Sequence, residues 1–164
     1  MPIDIYRIDD RLIHGQVVVG WGQPLNLRFI VLVDDEVACC DWERELYRMG
    51  VPPNFELHFE TVAGAADNFG RYVQDRRHGI LVTRDITAMA KLAALVPEIR
   101  TVNLGGLHYS EGRHKRLRYV FLTEEEEQAL RGLAQRGVVV TAQDVPATRA
   151  VPLDELLVSR RDGA

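Results

Sequence analysis

The chain has 164 residues, 46% of them hydrophobic, and a formal net charge of −4. This length suits one domain with a real core, the composition excludes a disordered chain, and the acidic balance argues against a general nucleic-acid binder. Its two cysteines, Cys39 and Cys40, are adjacent, which excludes a disulfide framework and the spaced pairs of a zinc site and points to a reducing compartment.

The opening Met1-Pro2-Ile3-Asp4 lacks a signal-peptide pattern, and no apolar run approaches the roughly 20 residues of a membrane helix, so a soluble, cytoplasmic protein is expected. Ile3 and Ile5 alternate with polar neighbours and predict a first strand. It leads into Tyr6-Arg7-Ile8-Asp9-Asp10-Arg11-Leu12-Ile13-His14-Gly15-Gln16-Val17, whose density of charge predicts a segment outside the core. Gly15 gives the backbone freedom, and Val17, Val18, Val19 and Trp21 predict the inner face of a following helix. His14 is thereby placed between a strand end and a helix start, where unpaired N–H groups and the helix dipole favour an anion. Arg7 and Arg11 can each offer a forked set of donors to a phosphate, and imidazole is a ready nucleophile at neutral pH.

Arg28 to Val33 is a near-continuous apolar run, predicting a strand buried on both faces of a parallel sheet. Asp34-Asp35 then caps a helix from about Glu36 carrying Val37, Leu46 and Met49 and ended by Gly50 and Pro52-Pro53, with a second role for Asp34 left open. Phe55 to Phe59 alternates as a strand with His58 exposed, followed by a helix over 63–76. Gly79 to Thr83 predicts a short buried strand, and Thr87 an N-cap for a helix carrying Met89, Leu92 and Leu95. Thr101 to Leu104 gives another strand, closing on Gly105-Gly106; Leu107 to Arg116 reads as a loop before a strand over Leu117 to Leu122. Thr123-Glu124-Glu125-Glu126 matches a capping box, Leu130 and Leu133 face inward, Gly137 ends that helix, and Val138-Val139-Val140 begins a last strand before Val145-Pro146 and a charged tail. Strands alternating with helices predict an α/β fold, a single domain with an open, mostly parallel sheet and helices on both faces.

Two nucleotide motifs fail. Gly15 to Gly20 has the glycine spacing of a P-loop but continues as Trp21-Gly22, and no complete G-x-G-x-x-G follows a strand. Gly105-Gly106 suits an anion-binding turn or a tight strand exit equally well. His108 and His114 with Glu111 between them match no helical or finger metal spacing, and neither Ser110 nor Ser159 stands in a nucleophile elbow. The clustering of Arg7, Asp9, Asp10, Arg11 and His14 favours a phosphate-handling histidine.

Arg7-Ile8-Asp9-Asp10-Arg11-Leu12-Ile13-His14-Gly15-Gln16-Val17 resembles the active-site segment of the IIB component of the mannose/fructose/sorbose family of the bacterial phosphotransferase system (PTS). Val33 to Ala38, Pro52-Pro53, Val102 to Gly106, Gly137-Val138 and Val145-Pro146 recur in that family's order, so the likeness covers nearly the whole chain, 1–164 as one IIB domain. The resemblance implies a sheet of about seven strands and a protein-N(pi)-phosphohistidine-sugar phosphotransferase subunit. It accepts a phosphoryl group from a phosphorylated IIA component and passes it to a sugar taken up through the membrane components IIC and IID. His14 matches the phosphorylated histidine, carried on Nδ1 in the family while the donor histidine uses Nε2. Arg7 and Arg11 match the arginines that bracket the phosphate, and Asp9 an acidic residue of the loop; Asp10 and Gln16 are supporting positions. At Thr83-Arg84-Asp85 several relatives carry a proline beside a Ser or Thr hydroxyl near the loop; here the proline is absent, leaving the contact of Thr83 open. Implied as well are a cytoplasmic location peripheral to the membrane components, separate donor and acceptor proteins because no IIA, IIC or IID segment is fused, and no cofactor or metal. The alternative is a regulatory phosphohistidine protein with no sugar transfer; the sugar and any homo-oligomer stay open, and no nucleic-acid partner is implied. The basic cluster Arg113-His114-Lys115-Arg116 suits a rim of the site or a solvated loop with no partner equally well.

Overall fold

A computed structural model describes residues 3–158. In chain order it contains β1 (Ile3–Ile8), a π-helical turn (Gln16–Trp21), β2 (Leu27–Val33), α1 (Asp35–Ala38), α2 (Asp41–Met49), β3 (Glu56–Glu60), α3 (Val62–Asp67), α4 (Phe69–Val73) and β4 (His78–Thr83). There follow α5 (Ile86–Leu95), β5 (Thr101–Leu104), β6 (His114–Leu117), β7 (Val120–Leu122), α6 (Glu124–Gln135), β8 (Val139–Ala142), β9 (Val151–Pro152) and α7 (Leu153–Leu156). Seven strands form one sheet in the order β3-β2-β4-β1-β5-β8-β9, parallel except for the β8–β9 pairing, and β6 and β7 pair separately as an antiparallel hairpin.

The expected α/β sheet is present, and β1 lies at its centre. On one face Ile5, Ile30, Leu32, Ile80 and Val82 pack with the π-turn residues Val17, Val18 and Trp21 and with Val37 of α1. On the other, Phe29, Val31 and Leu81 pack with residues of α3, α4, α5 and α6. The chain leaves β1 toward the first face and leaves β4 and β5, its neighbours, toward the second. Such a divergence opens a crevice at the carboxyl ends of the strands, the usual ligand position in this architecture.

The caps set the loop geometry. Asp34 accepts from the N–H groups of Glu36 and Val37, as expected, and its other oxygen takes the Arg84 guanidinium at 2.9 Å, which gives Asp34 a second role. Thr123 and Glu126 form the full capping box. Asp85, not Thr87, caps α5, because its carboxylate reaches the Ala88 N–H at 2.8 Å and the helix begins one residue before Thr87.

Other expectations are corrected. The helix expected from Glu36 is two helices, broken at Cys39-Cys40, and Leu46 and Met49 are exposed on α2. The helix expected over 63–76 breaks at Asn68. His58 is half-buried, edge-on to Tyr72 and 2.9 Å from Glu56. Val19 and Leu95 also face solvent, since a contiguous apolar run on a helix cannot turn every member inward. The expected loop ends within β6, so the basic cluster is largely strand, and the chain adds β9 and α7 after β8. Ser159 and the rest of the charged tail lie outside the described residues. Among the described residues no helix is long and apolar enough to cross a membrane.

Candidate functional site

Beyond Ile8 the chain turns at once, and the turn is pinned from both sides. The Asp9 N–H donates to the Thr83 carbonyl and the Asp10 N–H to the Gly106 carbonyl, each at 2.9 Å, so the loop after β1 is tied to the ends of β4 and β5. The Leu12 N–H closes back on the Asp9 carbonyl, also at 2.9 Å. Leu12 takes a left-handed backbone (φ 57°), while Gly15, whose backbone freedom was noted in the sequence, is right-handed (φ −53°). A leucine in that conformation costs roughly 1–2 kcal/mol. Its side chain is fully buried in the core beside Ile13, which holds the loop in this shape. The following helix is a single π-turn and not an α-helix, so the anion argument from an α-helix dipole does not transfer to it.

The expectation that this segment lies outside the core is overturned: the side chains of Arg7 and Asp9 are 0% exposed. In register with Asn103 on β5, Arg7 sends its guanidinium beneath the loop. Nη1 donates to Asn103 Oδ1 and to the Gln143 carbonyl; Nη2 donates to the Asp144 carbonyl at 3.0 Å and stands 3.4 Å from Asp9 Oδ2. The Trp21 ring lies 5.0 Å from Arg7 Cζ, and its Nε1–H donates to the same Asp144 carbonyl. Gly105 makes room for the guanidinium, because a Cβ there would stand closer than 3.0 Å to it. A buried charge is stable only when so surrounded. Burial lowers the pKa of Arg7, with Asp9 and Asp144 acting the other way; an arginine stays charged throughout the ordinary pH range. Arg7 is thus buried and held by Asn103, Asp9 and the Gln143 and Asp144 carbonyls.

Asp9 transmits that charge to the surface. Its Oδ2 accepts from His14 Nε2 at 3.0 Å and its Oδ1 from the Arg11 N–H at 3.2 Å. Burial alone would raise the Asp9 carboxyl, but the hydrogen bond and charge of His14, the charge of Arg7 and the Arg11 N–H outweigh it and hold it below the ordinary carboxylate range. An ionised carboxylate only accepts, so the imidazole nitrogen facing it carries the proton. The lone pair of neutral His14 is therefore on Nδ1. The His14 side chain is 13% exposed, while Arg11 is an exposed residue of the same loop.

The other expected residues divide. Asp10 belongs to the loop but turns to β5's exit, where it accepts from the His108 N–H at 2.7 Å and faces His108 Nδ1 at 2.8 Å. Thr83 is fully buried and donates its hydroxyl to the Asp85 carbonyl at 3.0 Å, so it shapes the exit of β4. The Gln16 side chain lies outside the described residues. Arg113 is bound by Glu126 through two oxygens and Arg116 by Glu127, so two charges of the basic cluster are taken up by α6. Among the described residues no three His, Cys, Asp or Glu side chains gather to hold a metal ion. Sequence reasoning missed Asn103, Trp21 and the carbonyls of Gln143 and Asp144. Asn103 carried a signal, a lone amide between Val102 and Leu104 in a short strand; the carbonyls carried none.

The family model for the PTS system sorbose subfamily IIB component matches residues 3–163. The chain is 34% identical over 143 residues to the N-acetylgalactosamine-specific phosphotransferase enzyme IIB component 1 of Escherichia coli K12, covering 85% of this chain and 89% of that protein. It is 28% identical to the mannose-specific EIIAB component of the same strain over 96% of its own residues, and spans about half (49%) of that longer relative. The crystal structure of the IIBSor domain of the sorbose permease from Klebsiella pneumoniae superposes with a TM-score of 0.85 at 27% identity, covering 95% of this chain and 96% of that one.

Proposed function

The chain belongs to the sorbose subfamily of PTS IIB components, phosphocarriers that take a phosphoryl group from a IIA component and pass it to a sugar, and we propose that His14 is the residue that carries it. The observation that supports this is the 3.0 Å contact of His14 Nε2 with a fully buried Asp9, itself backed by Arg7. The carboxylate leaves the Nδ1 lone pair for attack and is in place for the charge that attack creates. As Nδ1 bonds to phosphorus, the ring becomes cationic while Nε2 keeps its proton; Asp9 offsets that charge, and the N–P bond on the donor breaks with its electrons returning to the donor imidazole. No proton need change hands. Arg11, exposed on the same loop as His14, meets the phosphoryl oxygens, whereas Arg7 acts from behind by keeping Asp9 ionised. Positioning and electrostatics of this kind carry most of the work in phosphoryl transfer. We assign 1–164 to a single IIB domain working in the cytoplasm against membrane-embedded IIC and IID.

Wild-type protein and the His14→Ala variant are incubated with phosphorylated IIA and weighed intact. The wild type gains one phosphoryl mass and the variant none, while the variant keeps its cooperative unfolding transition, since His14 belongs to neither apolar cluster of the core. A phosphoryl group on the variant removes His14 from this role.

A further inference from the structure

The loop holds two adjacent carboxylates, and each holds one imidazole. Asp9 takes His14; Asp10 takes His108, through Nδ1 at 2.8 Å and through the His108 backbone N–H at 2.7 Å. The two pairs border one point. A Cβ placed on Gly106 would lie 3.3 Å from His108 Cε1 and 3.7 Å from Asp9 Oδ1, so the edge of the second ring and the carboxylate of the first face the same point and lie no more than 7.0 Å apart. Arg113 fixes the His108 backbone by donating to its carbonyl at 2.7 Å, and is itself held by Glu126. Asp10, an ionised acceptor, sets the His108 tautomer: Nδ1 carries the proton, and Nε2 carries the lone pair on a side chain that is 55% exposed.

The uptake step described above leaves this second imidazole unused, but the release step is not proton-neutral. A sugar hydroxyl that attacks phosphorus must lose its proton, whereas His14 leaves as neutral imidazole with Nε2 still protonated against Asp9. Taking His14 as the phosphoryl carrier, we propose that His108 is the general base of the second half-reaction, accepting the sugar hydroxyl proton on Nε2. The hydroxyl oxygen bonds to phosphorus, the P–Nδ1 bond breaks with its electron pair returning to His14, and the proton passes to His108, whose imidazolium is balanced by Asp10. The products are a sugar phosphate monoester, neutral His14 and protonated His108. Uptake from IIA needs no such acceptor, so the two half-reactions separate His108 from a residue that merely shapes the loop.

The test measures both. Phosphoryl uptake from phosphorylated IIA is followed by quench-flow and intact mass. Release is followed with membranes bearing IIC and IID and the one of N-acetylgalactosamine, mannose, sorbose and fructose that the wild type phosphorylates. His108→Gln, which can still hydrogen-bond Asp10 but cannot take a proton, slows release by about 10²-fold or more and uptake by less than about threefold, within the range of general-base contributions. Added imidazole restores part of the release rate to His108→Ala, an effect a structural role does not produce. A release-to-uptake split of less than about tenfold, or no rescue by imidazole, overturns the proposal. Failure of the His14 assignment is seen separately, as phosphoryl mass on the His14→Ala variant.

Discussion

Two segments of this chain carry clustered basic residues: the end of β1 and the loop after it, with Arg7, Arg11 and His14, and the start of the hairpin, with Arg113, His114, Lys115 and Arg116. In the hairpin, Arg113 and Arg116 are bound by Glu126 and Glu127 of α6, side chain to side chain, and these mostly covered acidic partners absorb their charge. In the loop the ion pair lies at 0% exposure and is solvated by backbone carbonyls of a distant segment, so its field reaches outward through Asp9 to a single imidazole. The density of charge is similar; what differs is where the counter-charges lie. A carboxylate buried on one side of a histidine directs that histidine's chemistry, whereas a carboxylate on a neighbouring helix only docks a strand.

Asp9→Asn is the change that separates the two segments most. An amide can meet His14 as donor or acceptor, so the tautomer with its lone pair on Nδ1 is no longer enforced, and the cationic ring of the phosphorylated state loses its counter-charge. Phosphoryl uptake should fall by about 10²- to 10⁴-fold in quench-flow. The variant also leaves Arg7 without its carboxylate, at a cost of about 3–5 kcal/mol read from denaturant unfolding. The pH dependence follows from Asp9 being held below its ordinary value of 3.8 in the folded protein. Its stabilisation is complete above that value and is lost as pH falls through the folded one, so wild-type stability should drop below about pH 4 more steeply than that of Asp9→Asn. Parallel acid profiles would mean that Asp9 does not gain its ionisation from the fold.

Gly105→Ala probes the buried side of the same comparison without touching a charge. The new methyl would stand closer than 3.0 Å to the Arg7 guanidinium, which lies over the Trp21 ring and is bound to Asn103 and the Gln143 and Asp144 carbonyls. Overpacking of this kind costs about 1–3 kcal/mol. Uptake should slow as Arg7 shifts and Asp9 follows it. Unchanged stability and rate would show that the guanidinium is loosely held.

Much of this arrangement was legible in the sequence. The run Arg28 to Val33 announced a strand buried on both faces, and Asp34 and the Thr123–Glu126 pair announced their caps, because each of these signals is local and rests on spacing along one element. The burial of Arg7 was not legible, since its acceptors are main-chain atoms of Gln143 and Asp144, and every residue type offers the same carbonyl. Periodicity misplaced Val19, Leu46 and Met49 for a related reason: a helix with a break or a π-turn changes its inward face, and the break at Cys39-Cys40 carries no proline or glycine to mark it. The pairing of Asp10 with His108 escaped as well, because it joins residues 98 positions apart.

The smallest effect is expected in the hairpin. Arg116 donates to Glu127 at 2.6 Å with both side chains mostly covered, 19% and 11% exposed. Arg116→Ala leaves Glu127 near the helix start, where the first turn of α6 already holds Glu124, Glu125 and Glu126. Like charges on one turn repel, but the N-terminal N–H groups of a helix favour them, and the Thr123–Glu126 capping box stays intact. The net loss should be about 1 kcal/mol, the upper end for a surface ion pair, and it should shrink in high salt as the interaction is screened. Uptake from phosphorylated IIA should stay within about twofold of wild type, because Arg116 touches neither the loop after β1 nor the His108 backbone. A markedly slower uptake that recovers none of its deficit as salt rises from roughly 0.05 to 0.5 M would show that the hairpin shapes the loop; a deficit confined to low salt would place the hairpin on the surface that IIA approaches, since rim charges act on the encounter rate.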